Sequence, residues 1–409
     1  MTTSPLLRRR AVLVGAGAVT ALAATASISA EAAGRRRIHV GVLTASRHGS
    51  TAASERGDAL VAGLRIGLGT RLRRLSHREV DGGYQGLSAA AEALIAGGAE
   101  VVVAAVTPLA ARDLETLCRA RGVALVVAGV GAHVAVPSRT TGSPTALYTG
   151  TQHWQSAYSV GQWSRRHLGR RLHQIVAAPD AGYDSVFALR RGFTGAGGTV
   201  VGTTVTDVGH GAGLSAALAD VRRTKPSVIA ISASGDRAVT LVKALRQAGV
   251  TAKLVLDPTV VEPGTVGRLG KAGQGAHAGG THLDPQRQAA LGAALRRAGA
   301  KRVDAFSALG YDTGLLIAAG LDRLGSRRIL RLPAVLAGAR VHGVRGLQQV
   351  SARGTVTVPL AVRKVTKRAS GARVAVEVVR RPRIAADAPA MAVVRGRLAS
   401  GYVNEYLTT

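Results

Sequence analysis

The chain has 409 residues and carries 54 Lys and Arg against 23 Asp and Glu, a formal net charge of +31, with one cysteine and only 3 % aromatic residues. A single cysteine excludes an internal disulfide, and so few aromatic rings exclude the stacking platforms that bind single-stranded nucleic acid. The arginines are scattered through helical stretches, so the charge points to solubility, capture of anions and loose attraction to an anionic cell envelope, with no nucleic-acid partner.

Residues 1–34 read as an export signal. Arg8-Arg9-Arg10 is followed by an uncharged run from Ala11 to Ala30 and by the small-residue sequence Ala30-Glu31-Ala32, with cleavage expected after Ala32. The arginines next to Ala11, Val12 and Leu13 look like a twin-arginine signal, and an ordinary secretory signal or an uncleaved anchor are the alternatives. Gly15-Ala16-Gly17 resembles a dinucleotide-binding turn but has no preceding strand to carry it. The one cysteine, Cys118, lies far from this segment, so the expected product is an exported soluble protein and not a lipoprotein.

From Arg37 the chain alternates β-branched runs with amphipathic helices, the pattern of an α/β fold with parallel sheets. The opening run Ile38 to Leu43 predicts a strand. Leu87, Ala90, Ala91 and Leu94 fall on one helical face, and Gly97-Gly98 stops that helix before a strand over Glu100 to Val106. A further strand is expected over Val123 to Val127. Tyr183 opens a helix that places Val186, Leu189 and Phe193 together. Leu214, Ala217, Leu218 and Val221 predict another helix, followed by a strand from Ser227 to Ile231. Ala238, Leu241, Val242 and Leu245 predict the next, followed by a strand from Ala252 to Leu256.

The alternation runs twice, which predicts two similar lobes. Pro137 to Gly150, rich in Ser, Thr, Gly and Pro, reads as a crossing between them, and glycine-rich Gly273 to Thr281 as a second. A helix pair containing Leu291, Leu295, Leu309, Leu315, Leu316 and Leu321 comes next. Beyond Gly343, Thr355 to Val358 and Val374, Val376 and Val378 alternate as strands do, and Arg381 to Thr409 match no pattern.

In open parallel sheets, ligands bind beyond the carboxyl ends of the strands. Thr107-Pro108 follows the strand over Glu100 to Val106 and has the composition of a helix start, whose free N–H groups favour a carboxylate or phosphate. Gly129-Val130-Gly131 follows the next strand, where glycines let a ligand approach the backbone. Ser234, Gly235 and Asp236 end another strand and cap a helix. For each of these a plain cap or tight turn is the competing reading. None of the eleven histidines has the spacing of a metal site, and no G-x-S-x-G elbow is present. No cofactor, metal or catalytic residue is expected, and Arg56-Gly57-Asp58 reads as the start of a helix.

These local patterns, in order, resemble the branched-chain amino-acid-binding family of periplasmic substrate-binding proteins of ABC importers. The resemblance is carried by Ile38-His39-Val40-Gly41-Val42-Leu43, Glu100 to Val106 with Thr107, Arg121 to Val126, Pro179-Asp180-Ala181-Gly182-Tyr183, Lys225 to Ile229 and Gly310-Tyr311-Asp312, spanning roughly Arg37 to Lys364. It implies a type 1 periplasmic binding protein fold, with two Rossmann-like lobes joined by a three-strand hinge. Residues 37–148 and 284–345 would form lobe one and 149–283 with 346–380 lobe two, the third crossing lying near Val344 to Gly346. It also implies a monomeric, non-enzymatic protein that closes on a small polar or anionic metabolite and docks on ABC permease membrane subunits. A ligand-sensing module of the same fold and an exported cofactor-dependent enzyme are the rival functions.

By the same resemblance Thr107 holds the ligand's carboxylate and Tyr183 closes over it, while Gly131 stands where the family has a hydroxyl residue. At Asp257-Pro258-Thr259 the family places an acid for the ligand's ammonium, and Thr259 occupies that position. Either Asp257 takes over, or the ligand carries no ammonium.

Overall fold

A computed structural model describes residues 36–46, 51–81, 86–106, 108–129, 144–150, 153–177, 184–206, 213–233, 235–281, 283–300, 303–367 and 374–380. The expected signal, its cleavage site and the tail 381–409 lie outside the described residues.

The first sheet has five strands, β1 (Ile38–Ser46), β2 (Leu72–Asp81), β3 (Val101–Ala105), β4 (Ala124–Val127) and β5 (Ala146–Tyr148), in the order β2-β1-β3-β4-β5 with every pairing parallel. Strands β3, β4 and β5 are almost wholly apolar because both faces are covered there, as parallel sheets require. Val101, Val103, Ala124 and Val126 face one helical layer, and Val102, Ala104, Leu125 and Val127 face the other. The first layer is α1 (Thr51–Leu68), α10 (Ala305–Leu324) and α11 (Leu332–Leu336), and the second is α2 (Leu87–Ala96) and α3 (Pro108–Ala120).

Helices α1 and α10 touch backbone to backbone. A Cβ on Gly63 or Gly67 would stand 2.0–2.1 Å from the carbonyl oxygens of Ser307 and Tyr311, and one on Gly310 would meet the Leu60 carbonyl at 2.1 Å. Here the glycine of the Gly310-Tyr311-Asp312 motif serves close helix packing. Arg56-Gly57-Asp58 lies inside α1.

The second sheet is ordered β15-β14-β10-β9-β8-β6-β7. Strands β6 (Arg171–Ala177), β7 (Thr199–Thr206), β8 (Val228–Ser232), β9 (Lys253–Leu256) and β10 (His277–Thr281) are parallel, while β14 (Leu360–Lys367) and β15 (Val374–Arg380) run antiparallel. Helices α4 (His153–His167) and α5 (Asp184–Gly195) cover one face, with Val186, Leu189 and Phe193 buried as their spacing predicts. Helices α6 (Leu214–Thr224), α7 (Gly235–Gln247) and α8 (Pro263–Leu269) cover the other.

The chain passes between the sheets three times. Sheet one extends through β5, so the first passage follows Thr149 and not the earlier part of the Pro137 to Gly150 segment. Gly273 to Thr281 is not a passage: its second half is β10, buried inside sheet two, and the passage comes between Thr281 and α9 (Pro285–Arg297). The third passage lies at Val358-Pro359, later than the expected Val344 to Gly346. The strands β11 (Arg340–Gly343), β12 (Gly346–Val350) and β13 (Val356–Thr357) form a small antiparallel sheet whose Val350 and Val356 join the core of the first sheet.

Val344-Arg345-Gly346 instead touches all three passages. Val344 O accepts from Asp284 N at 2.7 Å, Arg345 donates to Thr149 O at 3.3 Å, and a Cβ on Gly346, at φ +83°, would meet Pro359 at 3.0 Å. Asp312 on α10 holds this turn: its carboxylate accepts from Val344 N at 2.7 Å, Arg345 N at 3.1 Å and Arg345 Nε at 2.9 Å.

Candidate functional site

In each sheet the strand order reverses direction once, between β1 and β3 in the first and between β6 and β8 in the second. Loops leaving the carboxyl ends at such a reversal diverge to opposite faces and leave a crevice, the usual ligand position in open α/β sheets. The loops concerned are those after Ser46, Ala105, Ala177 and Ser232. Thr107, Tyr183 and Ser234 belong in sequence to the last three of these, and all three lie outside the described residues, as do Val130 and Gly131.

The backbone around these loops is described. Helix α3 starts at Pro108, three residues beyond the end of β3, and α5 and α7 start at Asp184 and Gly235 after β6 and β8. Each presents its unpaired N–H groups at the carboxyl edge of its sheet, and the N-terminal ends of three helices favour a negatively charged group there. Gly129 follows β4 where the main chains are closest: a Cβ would stand 2.0 Å from the Val106 carbonyl, and one on Gly150 would stand 2.0 Å from the Gly129 carbonyl. Gly129 therefore keeps three loops of sheet one in contact at its carboxyl edge.

Asp257 and Thr259 are brought together, but with each other. Asp257 follows β9 and caps a 3-10 turn over Pro258–Val261, its Oδ1 accepting from Thr259 N at 2.9 Å and from Thr259 Oγ1 at 2.6 Å. Asp257 Oδ1 thus accepts twice within its own loop. Asp236, in the first turn of α7, pairs with Arg268 of α8.

Two polar residues beside this loop gave no signal in the sequence. Glu262, just past the 3-10 turn, pairs with Arg363 of β14 at 3.0 Å, and Arg363 also donates to Thr281 O at 3.0 Å, at the carboxyl end of β10. They stand 101 residues apart. Only the antiparallel pairing of β14 with β10 brings them together.

Among the described residues no group of three or more His, Cys, Asp or Glu is placed to hold a metal ion, and no helix is long and apolar enough to cross a membrane.

A family model for periplasmic binding proteins matches residues 37–372. Among solved structures, a solute-binding protein of an ABC transporter from R. palustris in complex with 4-hydroxybenzoate shares 18 % identity, covering 88 % of this chain and 100 % of that one with a TM-score of 0.70. A leucine-, isoleucine-, valine-, threonine- and alanine-binding protein from Brucella ovis shares 15 %, covering 86 % and 97 %, with a TM-score of 0.71. A leucine-binding protein from Thermotoga maritima shares 17 %, covering 84 % and 99 %, with a TM-score of 0.67. At these identities the neighbours establish the fold. No curated protein matches the chain. The match over residues 37–372, with two αβα lobes joined by three passages, shows that the chain belongs to the periplasmic binding protein family.

Proposed function

We propose that this protein is an extracytoplasmic, monomeric solute-binding component of an ABC importer, and that its ligand is a small carboxylate lacking an ammonium group. The observation that carries the ligand class is the state of Asp257, whose Oδ1 is bound twice by Thr259 while helix N-termini line the carboxyl edges of both sheets. A buried ammonium without an anionic partner is costly, whereas a carboxylate meets N–H donors. The 4-hydroxybenzoate complex of a structural neighbour supports the same class.

In this reading Thr107, Pro108 and Gly129 to Gly131 receive the carboxylate on the first lobe, and Tyr183 and Ser234 meet the ligand from the second. Rotation about the three passages brings the lobes together, and the closed form is what a permease recognises. A ligand drives closure only by binding the closed state better than the open one.

The test is a thermal-melting panel of purified protein against benzoates, aliphatic carboxylates, amino acids and amines. Stabilisation by carboxylates alone supports the proposal. Stabilisation by amino acids alone would mean that another acid, Glu262 included, receives the ammonium.

A further inference from the structure

The amino-terminal edge of the second sheet, opposite its ligand edge, gathers exposed cations from several elements. Arg170 and Arg171 precede or open β6, Lys225 precedes β8, Lys253 opens β9, Lys271 precedes β10, and antiparallel β14 ends there with Lys364 and Lys367. The register fixes their neighbourhood: Leu172 pairs with Val228 and Val228 with Lys253, while His277 lies between Val255 and Lys364. Helices α4 and α6 also end at this edge, adding Arg166, Arg222 and Arg223.

Acids are few here. Asp220 pairs with Arg223 at 2.6 Å, and Glu377 stands opposite Lys364 in the β14–β15 register. In the first lobe, by contrast, Arg73 pairs with Glu100, Arg121 with Glu92 and Arg71 with Asp322. Some cations of the second lobe have structural work as well: Arg171 donates to Thr224 O at 2.6 Å, and positive charge at helix C-termini is stabilising in itself. Helix ends account for Arg166, Arg222 and Arg223. They do not account for Arg170, which precedes β6, Lys253, which opens β9, or Lys364 and Lys367 in the second half of β14.

From β14 to β6 the edge crosses four strand gaps, a line of about 20 Å at ~4.8 Å per gap. We infer that this edge is a docking track for a linear polyanion of the cell envelope, a chain of repeated phosphodiesters, which retains the protein near the cell while the ligand edge on the opposite side stays open. A chain fits better than a flat anionic bilayer because the cations follow one sheet edge and no exposed aromatic side chain among the described residues accompanies them. The inference rests on the extracytoplasmic placement proposed above.

The experiment is a binding titration of the purified protein with poly(glycerol phosphate) at increasing sodium chloride, repeated with phosphatidylglycerol vesicles. A variant carrying Arg170→Glu, Arg222→Glu, Lys253→Glu and Lys364→Glu is compared with an equally charged control carrying Arg119→Glu, Arg296→Glu, Arg297→Glu and Arg328→Glu, both checked for folding by circular dichroism. The expected result is salt-sensitive polymer binding that falls roughly tenfold or more in the first variant and stays near the original in the control. Equal loss in both would reduce the effect to net charge and overturn the track, as would absent polymer binding or binding to vesicles alone. Melting shifts with carboxylates are measured on the same variants. Polymer binding without a carboxylate response would leave the track standing and remove the ligand assignment, and the reverse would remove the track alone. Fractionation of cells decides the placement separately.

Discussion

Arg345 and Asp312 form an ion pair with side chains 1 % and 0 % exposed, Nε donating to Oδ2 at 2.9 Å, at the point where the three passages between the sheets meet. Both partners are also spoken for by the main chain: Asp312 accepts from Val344 N, and the Arg345 guanidinium donates to Thr149 O. The pair fixes the turn against which the passages rest, so it belongs to the hinge as much as to the core.

Removing one charge leaves the other buried and uncompensated. Asp312→Asn is expected to cost about 3–5 kcal/mol of stability, with Asp312→Leu/Arg345→Met recovering part of that loss. Denaturant unfolding of the three proteins checks this. Equal stability of Asp312→Asn and the parent would contradict the reading.

Close helix packing gives a second expectation. A Cβ on Gly310 would meet the Leu60 carbonyl at 2.1 Å, backbone that no side-chain rotation relieves. Gly310→Ala should therefore lower the melting temperature by several degrees, while Gly299→Ala, at a position with open space around its Cβ but φ +77°, should cost about 1 kcal/mol through backbone strain alone.

Acid should weaken the second lobe. Burial, reinforced by Lys364 and Lys253, holds His277 down to about 4, and burial also lowers His173, whose ring sits between Thr204 and Thr224. A histidine depressed in the folded state binds its proton first in the unfolded chain. Its stabilising effect is therefore complete above the unfolded value of ~6.5 and is lost as pH falls toward 4, up to about 3 kcal/mol for His277. Unfolding measured across that range should show the loss, and His277→Leu should flatten it.

Cys118 is 1 % exposed on α3, and burial pushes its thiol up to about 12. Native protein should leave it unmodified by a thiolate-selective reagent at neutral pH, with full labelling on denaturation. Rapid labelling of folded protein would mean that α3 opens readily.

The helices and central strands were legible because their signals are local. Leu87 to Leu94, Leu214 to Val221 and Ala238 to Leu245 repeat at helical spacing and are helices, and the apolar runs around Val102, Val126 and Ile229 are buried strands. The edge strand β2 was not legible: Leu-Arg-Arg-Leu-Ser-His-Arg-Glu-Val-Asp has no continuous apolar run because a strand at the edge of the sheet buries less of itself. Edge strand β7 escaped for the same reason. Glycine misled at Gly273 to Thr281, where Gly279 and Gly280 admit the close approach of Ser156 and Arg363 to a buried strand instead of marking a passage. At the candidate site, Thr107, Tyr183 and Ser234 follow the strands that flank the two reversals, which local composition had already singled out. The Glu262–Arg363 pair and the capping of Thr259 by Asp257 depend on tertiary register and loop geometry, to which periodicity is blind.

The most direct measurement is a calorimetric titration of the purified protein with 4-hydroxybenzoate and, separately, with leucine, repeated in Thr107→Ala and Tyr183→Ala. One carboxylate bound per chain, weakened in both folded variants and with no heat from leucine, is the predicted result. Saturable leucine binding with no response to the benzoate would contradict the assignment of a carboxylate ligand without an ammonium.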